Sequence, residues 1–264
     1  MARKVLKRRK LSRKIESLSK HSPSQFPEIE IKGEEAESVA IIGDLHANYI
    51  DPRIVKSFVR YAEENKCKVV VIAGDFLNAD AFSTHPPLGP QQTFADEVEQ
   101  ARKLLEIFGE CFDKIYWIRG NHDHRVSVAT FGQLNMTELA DLVCGPSPVR
   151  RKITVTPYSR LWVRCSSGLW LIAHQREYSK IKLRVASALS AKYNCHVICA
   201  HQHHCAVGLS ENAKFVVADL PCACRYAYYK SLDTSSRPDW CLGFGALIRG
   251  KYHMVVNDSA IVVS

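Results

Sequence analysis

The chain has 264 residues, of which 46% are hydrophobic and 24% charged, the balance of an ordinary soluble globular protein. This length suits one sizeable α/β domain and leaves little room for a second. No apolar run approaches the roughly 20 residues that a membrane-spanning helix needs, and the N-terminus lacks the apolar core of a secretory signal. We therefore expect a cytoplasmic protein with no membrane partner, whose ten cysteines are mostly reduced thiols.

The net charge of +9 is concentrated at the N-terminus. Residues 1–20 contain nine Lys or Arg against one acid, Glu16, so the rest of the chain is close to neutral. A nucleic acid could be bound there through phosphate neutralisation. The residues available for this contact are Arg3, Lys4, Lys7, Arg8, Arg9, Lys10, Arg13 and Lys14. A solubilising tail would have the same composition. We divide the chain into a basic, flexible arm and linker (1–27) and one domain (28–264).

Apolar runs and helix-start signals alternate through the first half of the domain. Asp51 and Pro52 favour the start of a helix, because a capping carboxylate precedes a proline at the first helical position. Thr93 with Asp96 predicts a capping box for a second helix, which Gly109 is expected to end. The predicted strands of this half lie at 39–43, 69–73 and 114–118, and a further short helix lies at 137–143.

From Lys152 the pattern changes to short strands separated by turns, with one more helix predicted from Ser179 to Lys192. The predicted strands of this half lie at 153–156, 161–165, 169–173, 195–200, 214–218, 241–248 and 252–256. Strand-helix alternation followed by clustered strands predicts an α/β fold in which two sheets pack face to face with helices outside.

Acidic, amide and imidazole side chains directly follow five of these strands. They are Asp44, His46, Asp75, Asn121, His122, Asp123, His174, His201 and His203. Ligands bind beyond the carboxyl ends of strands in open α/β folds. Oxygen and imidazole donors without cysteine favour manganese, iron, zinc or magnesium. The set is too large for one closed tetrahedral site, so it predicts two metal ions about 3.5–4 Å apart, bridged by a carboxylate and a hydroxide.

These residues form five motifs in a fixed order. They are Asp44-Leu45-His46, Gly74-Asp75, Gly120-Asn121-His122-Asp123, His174 and Ala200-His201-Gln202-His203. The series resembles the calcineurin-like metallophosphoesterase superfamily, which is recognised by D-x-H, G-D, G-N-H-[DE], a lone H and G-H-x-H. The resemblance spans 39–203 and implies the two-sheet αββα sandwich of the metallo-dependent phosphatases. The stretches 74–78 and 121–125 are most similar to phage-encoded and bacterial members.

The resemblance also implies roles for individual residues. One metal ion would be held by Asp44, His46 and His203, the other by Asn121, His174 and His201, with Asp75 bridging them. Manganese is the favoured metal, and the activated hydroxide would attack phosphorus. His122 would stabilise developing charge and protonate the leaving oxygen, Asp123 would orient His122, and Arg125 would contact a phosphate oxygen. Gln175 and Ala200 stand where the family usually has glycine, but neither departure removes a ligand.

The expected function is therefore the hydrolysis of phosphate esters at a binuclear metal centre. The basic arm and Arg125 favour phosphodiesters such as nucleic acid. The family equally contains phosphomonoesterases, including protein phosphatases, so this alternative stays open. A third alternative is a non-catalytic binding module on the same fold, although every ligand position here is filled.

Four cysteines and one histidine outside these motifs could also have a binding role. Cys222-Ala223-Cys224, together with Cys205 and Cys241, could hold a structural zinc ion. The two paired short spacings typical of such sites are absent, so we do not predict one. His124 could meet the substrate, but we interpret it as a solvated loop histidine.

Overall fold

Thirteen strands form two sheets within the part of the chain that the computed structural model describes, which comprises residues 28–84, 92–225 and 239–263. The prediction for the N-terminal arm (1–27) lies outside these ranges. The strands are β1 (Glu30–Lys32), β2 (Ser38–Ile42), β3 (Val69–Ile72), β4 (Lys114–Ile118), β5 (Ile153–Thr156), β6 (Arg160–Cys165), β7 (Gly168–His174), β8 (His196–Ala200), β9 (Ala206–Leu209), β10 (Val216–Asp219), β11 (Gly243–Ile248), β12 (Lys251–Val256) and β13 (Ser259–Val263).

Five α-helices lie in the same described ranges. They are α1 (Pro52–Glu64), α2 (Phe94–Cys111), α3 (Asn121–Ala129), α4 (Met136–Cys144) and α5 (Arg184–Tyr193). Both predicted N-caps are confirmed, since Asp51 accepts a hydrogen bond from the backbone of Arg53 and Thr93 forms a capping box with Asp96. Gly109 does not end α2, because a glycine costs only about 1 kcal/mol within a helix. Its missing side chain instead leaves room for Val149, whose Cγ2 would lie 2.5 Å from an added Cβ.

The seven-stranded sheet has the order β13-β12-β11-β2-β3-β4-β5, and the six-stranded sheet has the order β1-β6-β7-β8-β10-β9. In the first sheet β2 to β5 are parallel to one another. In the second sheet β7, β8 and β10 are parallel. Parallel neighbours end at the same edge of a sheet, so the residues that follow β2, β3 and β4 lie together, as do those that follow β7 and β8.

Successive side chains of β2 point alternately into two different apolar cores. Val39 and Ile41 belong to the apolar core between the two sheets, whereas Ala40 and Ile42 belong to a second core shared with α1, α2 and α4. Helix α5 covers the outer face of the six-stranded sheet through Ala186. The layers are therefore helix, sheet, sheet and helix, which confirms the predicted αββα sandwich. No helix in the described ranges has both the length and the apolar character that a membrane crossing requires.

Candidate metal centre

The polar residues predicted to form a site meet where the two sheets present their strand ends. Asp44 and His46 follow β2, Asp75 follows β3, His174 ends β7, and His203 lies in the turn after β8. Asn121 begins α3 directly after β4, and His201 follows β8. All of the predicted metal ligands are therefore delivered to one edge of the sandwich by strands that are far apart in sequence.

The loops that carry Asp44, His46 and Asp75 are tied to each other by backbone hydrogen bonds. The amide of Asp44 donates to the carbonyl of Gly74 at 3.1 Å, and the amide of His46 donates to the carbonyl of Asp75 at 3.0 Å. The two loops thus continue the pairing of β2 with β3 beyond the sheet. This pairing fixes the separation of the side chains that the loops present.

Five of the seven predicted ligands adopt the left-handed backbone conformation. Their φ angles are 49° for Asp44, 45° for His46, 47° for Asp75, 84° for His201 and 56° for His203. Such a conformation costs a non-glycine residue of the order of 1–3 kcal/mol and is concentrated at functional sites. The predicted ligands at this edge therefore coincide with the strained backbone positions of the loops.

Two glycines allow the loops to approach closely. A Cβ added to Gly120 would lie 2.1 Å from the backbone nitrogen of Asp75, and one added to Gly74 would lie 2.5 Å from the ring of His174. Gly74 also has a φ of +81°, which side-chain-bearing residues rarely adopt. Neither motif glycine can be replaced without moving a predicted ligand.

Three groups of carboxylate and imidazole atoms that could bind a metal lie at this edge, with the atoms of each group within 4.8 Å of one another. The groups are Asp44 with His46 and His203, His46 with Asp75 and His122, and Asp75 with His174 and His201. Asp75 therefore belongs to two of these groups, one with His46 and one with His174. Its oxygen Oδ2 is 3.2 Å from Nε2 of His174 and 3.9 Å from Nε2 of His46.

One ring nitrogen of each of two predicted ligands, His174 and His46, has a fixed partner. Nδ1 of His174 lies 2.8 Å from the carbonyl oxygen of Ala73, which leaves Nε2 facing Asp75 and the amide oxygen of Asn121 at 3.1 Å. Nδ1 of His46 lies 3.0 Å from the side-chain oxygen of Asn78. Such outer hydrogen bonds orient a metal-binding imidazole and fix its tautomer.

Electrostatics put four of these groups in the protonation state that metal binding requires. Burial raises the pKa of Asp44, but the neighbouring His203 and His174 lower it by more, to about 2. The pKa of Asp75 is also well below its usual value, because the surrounding imidazoles outweigh its burial. Burial lowers the pKa of His201 to about 4 and that of His46 well below its usual value. At neutral pH these two carboxylates are therefore ionised and these two imidazoles are neutral, as metal binding requires.

His174 and His203 behave differently because each faces a carboxylate directly. Burial lowers the pKa of His174, but Asp75 and Asp44 raise it by more, to about 9. The same competition, with Asp44 the strongest opposing influence, raises the pKa of His203 well above its usual value. Nε2 of His203 lies 3.1 Å from Oδ1 of Asp44, whereas the adjacent His204 lies 3.4 Å from Asp219. The buried oxygen and imidazole donors fit divalent cations, which would displace the two protons.

His122 faces the same cluster but is oriented by a different residue than predicted. Its Nδ1 lies 2.9 Å from the carbonyl oxygen of Asn78, so this carbonyl fixes the tautomer. The carboxylate of Asp123 instead accepts hydrogen bonds from the backbone amides of Leu77 and Gly120, both at 2.9 Å. The predicted role of Asp123 as the partner of His122 is therefore corrected: Asp123 caps α3 and anchors the loop after β3.

Arg125 reaches the cluster one helical turn after His122. Its Nη2 lies 3.3 Å from Nε2 of His122, and its Nη1 donates to the carbonyl of Asn78 at 3.0 Å. A weaker contact of 3.6 Å joins Arg125 to Asp80. The guanidinium group is thus held beside the imidazole, with one edge towards the cleft next to the metal centre.

A cleft of about 690 Å³ opens beside His174 and Asn121. Its lining includes three arginines (Arg119, Arg125 and Arg176), His124 and, at the rim, Glu177, with an apolar wall of Phe82, Val128 and Ala129. Among the described residues no carboxylate lies within ion-pair distance of Arg119 or Arg176. Burial lowers the pKa of His124, and the two arginines lower it further. His124 lies in α3 and lines this cleft, so its interpretation as a solvated loop residue is wrong.

Two residues that support the site, Asn78 and Glu97, were not predicted from the sequence. Glu97 on α2 is 1% exposed, and its carboxylate accepts hydrogen bonds from the backbone amides of Asn78 and Ala79. It thereby holds the loop whose Asn78 orients both His46 and His122. Burial raises the pKa of Glu97 to about 7. A signal was present, since Glu97 lies three residues after Phe94 and four before Ala101, on the apolar stripe of the helix.

Comparison with known protein families matches residues 38–205 to the calcineurin-like phosphoesterase family. This match covers more than half of the chain, and the chain belongs to that family. A search of curated protein sequences finds no significant match. The family assignment and the His/Asp groups together indicate a hydrolase of phosphate esters that depends on divalent metal.

Solved structures of related shape were also found. One is YfcE, a phosphoesterase from E. coli, with 12% identity, a TM-score of 0.46 and coverage of 86% of this chain and 98% of that one. Another is a predicted phosphoesterase from Streptococcus pneumoniae, with 12% identity, a TM-score of 0.41 and coverage of 86% and 97%. A single mutant of Vps29 from Entamoeba histolytica has 11% identity, a TM-score of 0.45 and coverage of 86% and 97%.

Proposed function

We propose that the protein hydrolyses phosphodiesters, with nucleic acid as the substrate class, at a centre that holds two divalent ions. The observation that carries the proposal is the position of Asp75, whose carboxylate belongs to the groups on both sides of the cluster. Asp44, His46 and His203 would hold one ion, and Asn121, His174 and His201 the other. When bound, the two ions would lower the pKa of water to supply the nucleophile and would neutralise phosphoryl charge. Manganese is the metal we propose to test first.

His122 is proposed as the group that protonates the leaving oxygen. Its Nδ1 faces the carbonyl of Asn78, so Nε2 is the atom directed towards Asp75, at 3.9 Å from Oδ2. Burial lowers the pKa of His122. A phosphate anion beside the ring would favour the protonated form again. Arg125, 3.3 Å away, would bind a phosphoryl oxygen and fix the substrate beside His122.

The cleft supports a diester of a polyanion more than a small monoester. Arg119 and Arg176 line the cleft beside the predicted ligands Asn121 and His174, and neither forms an ion pair with a carboxylate in the described ranges. Guanidinium groups placed this way suit the phosphates that flank a scissile bond in a nucleic acid chain. The apolar wall formed by Phe82 and Val128 would contact a sugar or base.

Turnover of a bis-aryl phosphodiester and of an aryl phosphomonoester with Mn²⁺ tests the reaction class. We expect the diester to be cleaved faster, and Asp75→Asn to abolish turnover. Asp219→Asn is a matched control, because Asp219 is also a buried aspartate at a strand end but contacts Leu183 and His204. Cleavage of the monoester alone would exclude a diesterase. Full activity of Asp75→Asn would exclude the proposed bridge.

The domain boundary is part of the proposal. We take residues 28–264 as the hydrolase and 1–27 as an arm that binds the nucleic acid backbone. Deleting 1–27 should then flatten the salt dependence of binding by about 0.9 log units of slope for each phosphate that the arm neutralises. An unchanged slope would show that the arm is a tail without a role in binding.

A further inference from the structure

Two buried thiols lie behind the proposed metal centre. Cys222, Ala223 and Cys224 are each 0% exposed. The segment is extended: Cys222 pairs with Leu242 and Cys224 with Ile50 in isolated bridges. Because side chains alternate along an extended chain, both thiols point to the same side.

The segment is fastened to the loop that carries Asp44. The amide of Ala223 donates to the carbonyls of Gly43 and Asp44, each at 3.2 Å. From the other side, the amide of Cys241 donates to the carbonyl of His203 at 2.8 Å, and the amide of Cys222 donates to the carbonyl of Cys241 at 3.0 Å. These bonds hold the thiol pair and the His203 loop in a fixed relation.

The result is a group of three possible ligands, in which one atom each of His203, Cys222 and Cys224 lies within 4.8 Å of the other two. All three residues are buried. Cys205 and Cys241 do not belong to this group in the described part of the chain, so the four-thiol zinc site considered from the sequence is not the arrangement found. The thiols are instead joined by a histidine that sequence spacing alone could not associate with them.

We propose that Cys222, Cys224 and His203 form a binding site for a thiophilic divalent ion, such as Zn²⁺ or Cd²⁺. Two thiolates and an imidazole are a softer donor set than the carboxylates and imidazoles of the neighbouring groups. Three protein ligands of this kind occur in zinc sites that keep a fourth position for solvent. Each thiol would release its proton to solvent when the ion binds.

The site shares His203 with the group of Asp44 and His46. An ion held by the thiols would therefore bind an imidazole that the proposed catalytic centre also uses. Thiophilic ions should inhibit hydrolysis, whereas Mn²⁺, which prefers oxygen and imidazole ligands, should support it. This consequence rests on the proposed function, but the thiol site itself does not.

Titration of the full-length, reduced protein with Cd²⁺ tests the site, through the ultraviolet sulfur-to-cadmium charge-transfer band. We expect the band to saturate at one ion per protein in the wild type and to disappear in the double variant C222S/C224S. The control is Cys195→Ser, since Cys195 is a buried thiol directly before β8, outside the group. C222S alone should raise the Cd²⁺ concentration for half-inhibition by about tenfold or more, because even the loss of an outer hydrogen-bond partner typically costs a metal site about 10–100-fold in affinity.

A band that persists in C222S/C224S, or that is absent from the wild type, would overturn the proposal. If the double variant does not fold, X-ray absorption of the wild type loaded with one equivalent of Cd²⁺ decides: two sulfur neighbours are expected, and oxygen or nitrogen neighbours alone would exclude the site. These outcomes are independent of the proposed activity. A protein with the band but no Mn²⁺-dependent turnover would refute the esterase and keep the thiol site.

Discussion

Asn78 contacts both His46 and His122, with its side-chain oxygen 3.0 Å from Nδ1 of His46 and its carbonyl oxygen 2.9 Å from Nδ1 of His122. One residue in the loop after β3 thus sets the ring orientation of a proposed metal ligand and of the proposed proton donor. Glu97 on α2 holds this loop in place, because its carboxylate accepts hydrogen bonds from the amides of Asn78 and Ala79. The chemistry of the site therefore depends on a residue that supplies no ligand itself.

Asn78→Ala should weaken metal binding while leaving His122 in place. The substitution removes the hydrogen bond to His46 but keeps the backbone carbonyl that faces His122. Removing such an outer hydrogen bond typically costs 10–100-fold in metal affinity. We expect the Mn²⁺ concentration for half-maximal turnover to rise by that factor, with turnover at saturating Mn²⁺ much less affected. Asn212→Ala, in an exposed turn, is the control, and an unchanged Mn²⁺ dependence of Asn78→Ala would contradict the role.

Glu97→Gln should change how stability depends on pH. The pKa of Glu97 rises from 4.5 to about 7 on folding, because burial outweighs its two amide donors. The folded state therefore holds the proton more tightly, and the contribution of Glu97 to stability is largest below pH 4.5 and is lost as pH rises to about 7. The loss amounts to about 3 kcal/mol at 1.36 kcal/mol per unit.

Urea unfolding of the metal-free protein measures this difference. The free energy of unfolding of Glu97→Gln relative to wild type should increase between about pH 5 and pH 8, because the amide does not titrate. Glu106→Gln, an exposed substitution on the same helix, should show no such trend. If the free energies of unfolding of Glu97→Gln and wild type had the same pH dependence, the raised pKa of Glu97 would be refuted.

Metal binding should release protons at neutral pH. His174 and His203 both have raised pKa values, about 9 for His174, because carboxylates face them. Each must lose its proton to accept an ion, so affinity should rise with pH up to the pKa of these groups. Calorimetry of Mn²⁺ binding in buffers of different ionisation enthalpy should give a release of about two protons or more for full loading. Binding without proton release would show that the two histidines are already neutral or are not ligands.

Arg176→Ala should affect nucleic acid more than a small diester. Arg176 lines the cleft and forms no ion pair with a carboxylate in the described ranges. A hydrogen bond to a charged group contributes about 1.5–3 kcal/mol, or roughly a tenfold to hundredfold change in binding. We expect KM for an oligonucleotide to rise by about tenfold, whereas KM for a bis-aryl diester stays nearly constant. Lys103→Ala, an exposed charge on α2, is the control. Equal effects on both substrates would place Arg176 at the scissile phosphate instead.

The positions of the ligand motifs could be predicted from sequence because each follows an apolar strand. Residues at strand ends, such as Asp75 and His174, can be located from the apolar run that precedes them. Parallel pairing of the strands then brings these residues to the same edge of a sheet. Helix α3 was not predicted, since its run of polar residues offers no apolar stripe, and only Asp123 and Val126 are buried. The edge strand β13 was missed for a similar reason: its residues are mostly exposed.

Contacts between distant segments are what the sequence could not provide. The partner of His122 is a backbone carbonyl, and because every residue has one, the sequence does not indicate which carbonyl it is. Likewise, Asp44 and His46 adopt the left-handed conformation in a loop that is hydrogen-bonded to the loop after β3, and this pairing joins segments that are distant in sequence. Glu97 lies on the apolar stripe of α2, but the amides of Asn78 and Ala79 that its carboxylate binds could not be identified from spacing within the helix.

The proposed hydrolysis requires two ions, one on either side of Asp75. Crystals of the protein soaked in Mn²⁺ and measured at the manganese absorption edge test this arrangement most directly. We expect two anomalous peaks about 3.5–4 Å apart with the Asp75 carboxylate between them. A single peak, or peaks that Asp75 does not contact, would contradict the binuclear centre.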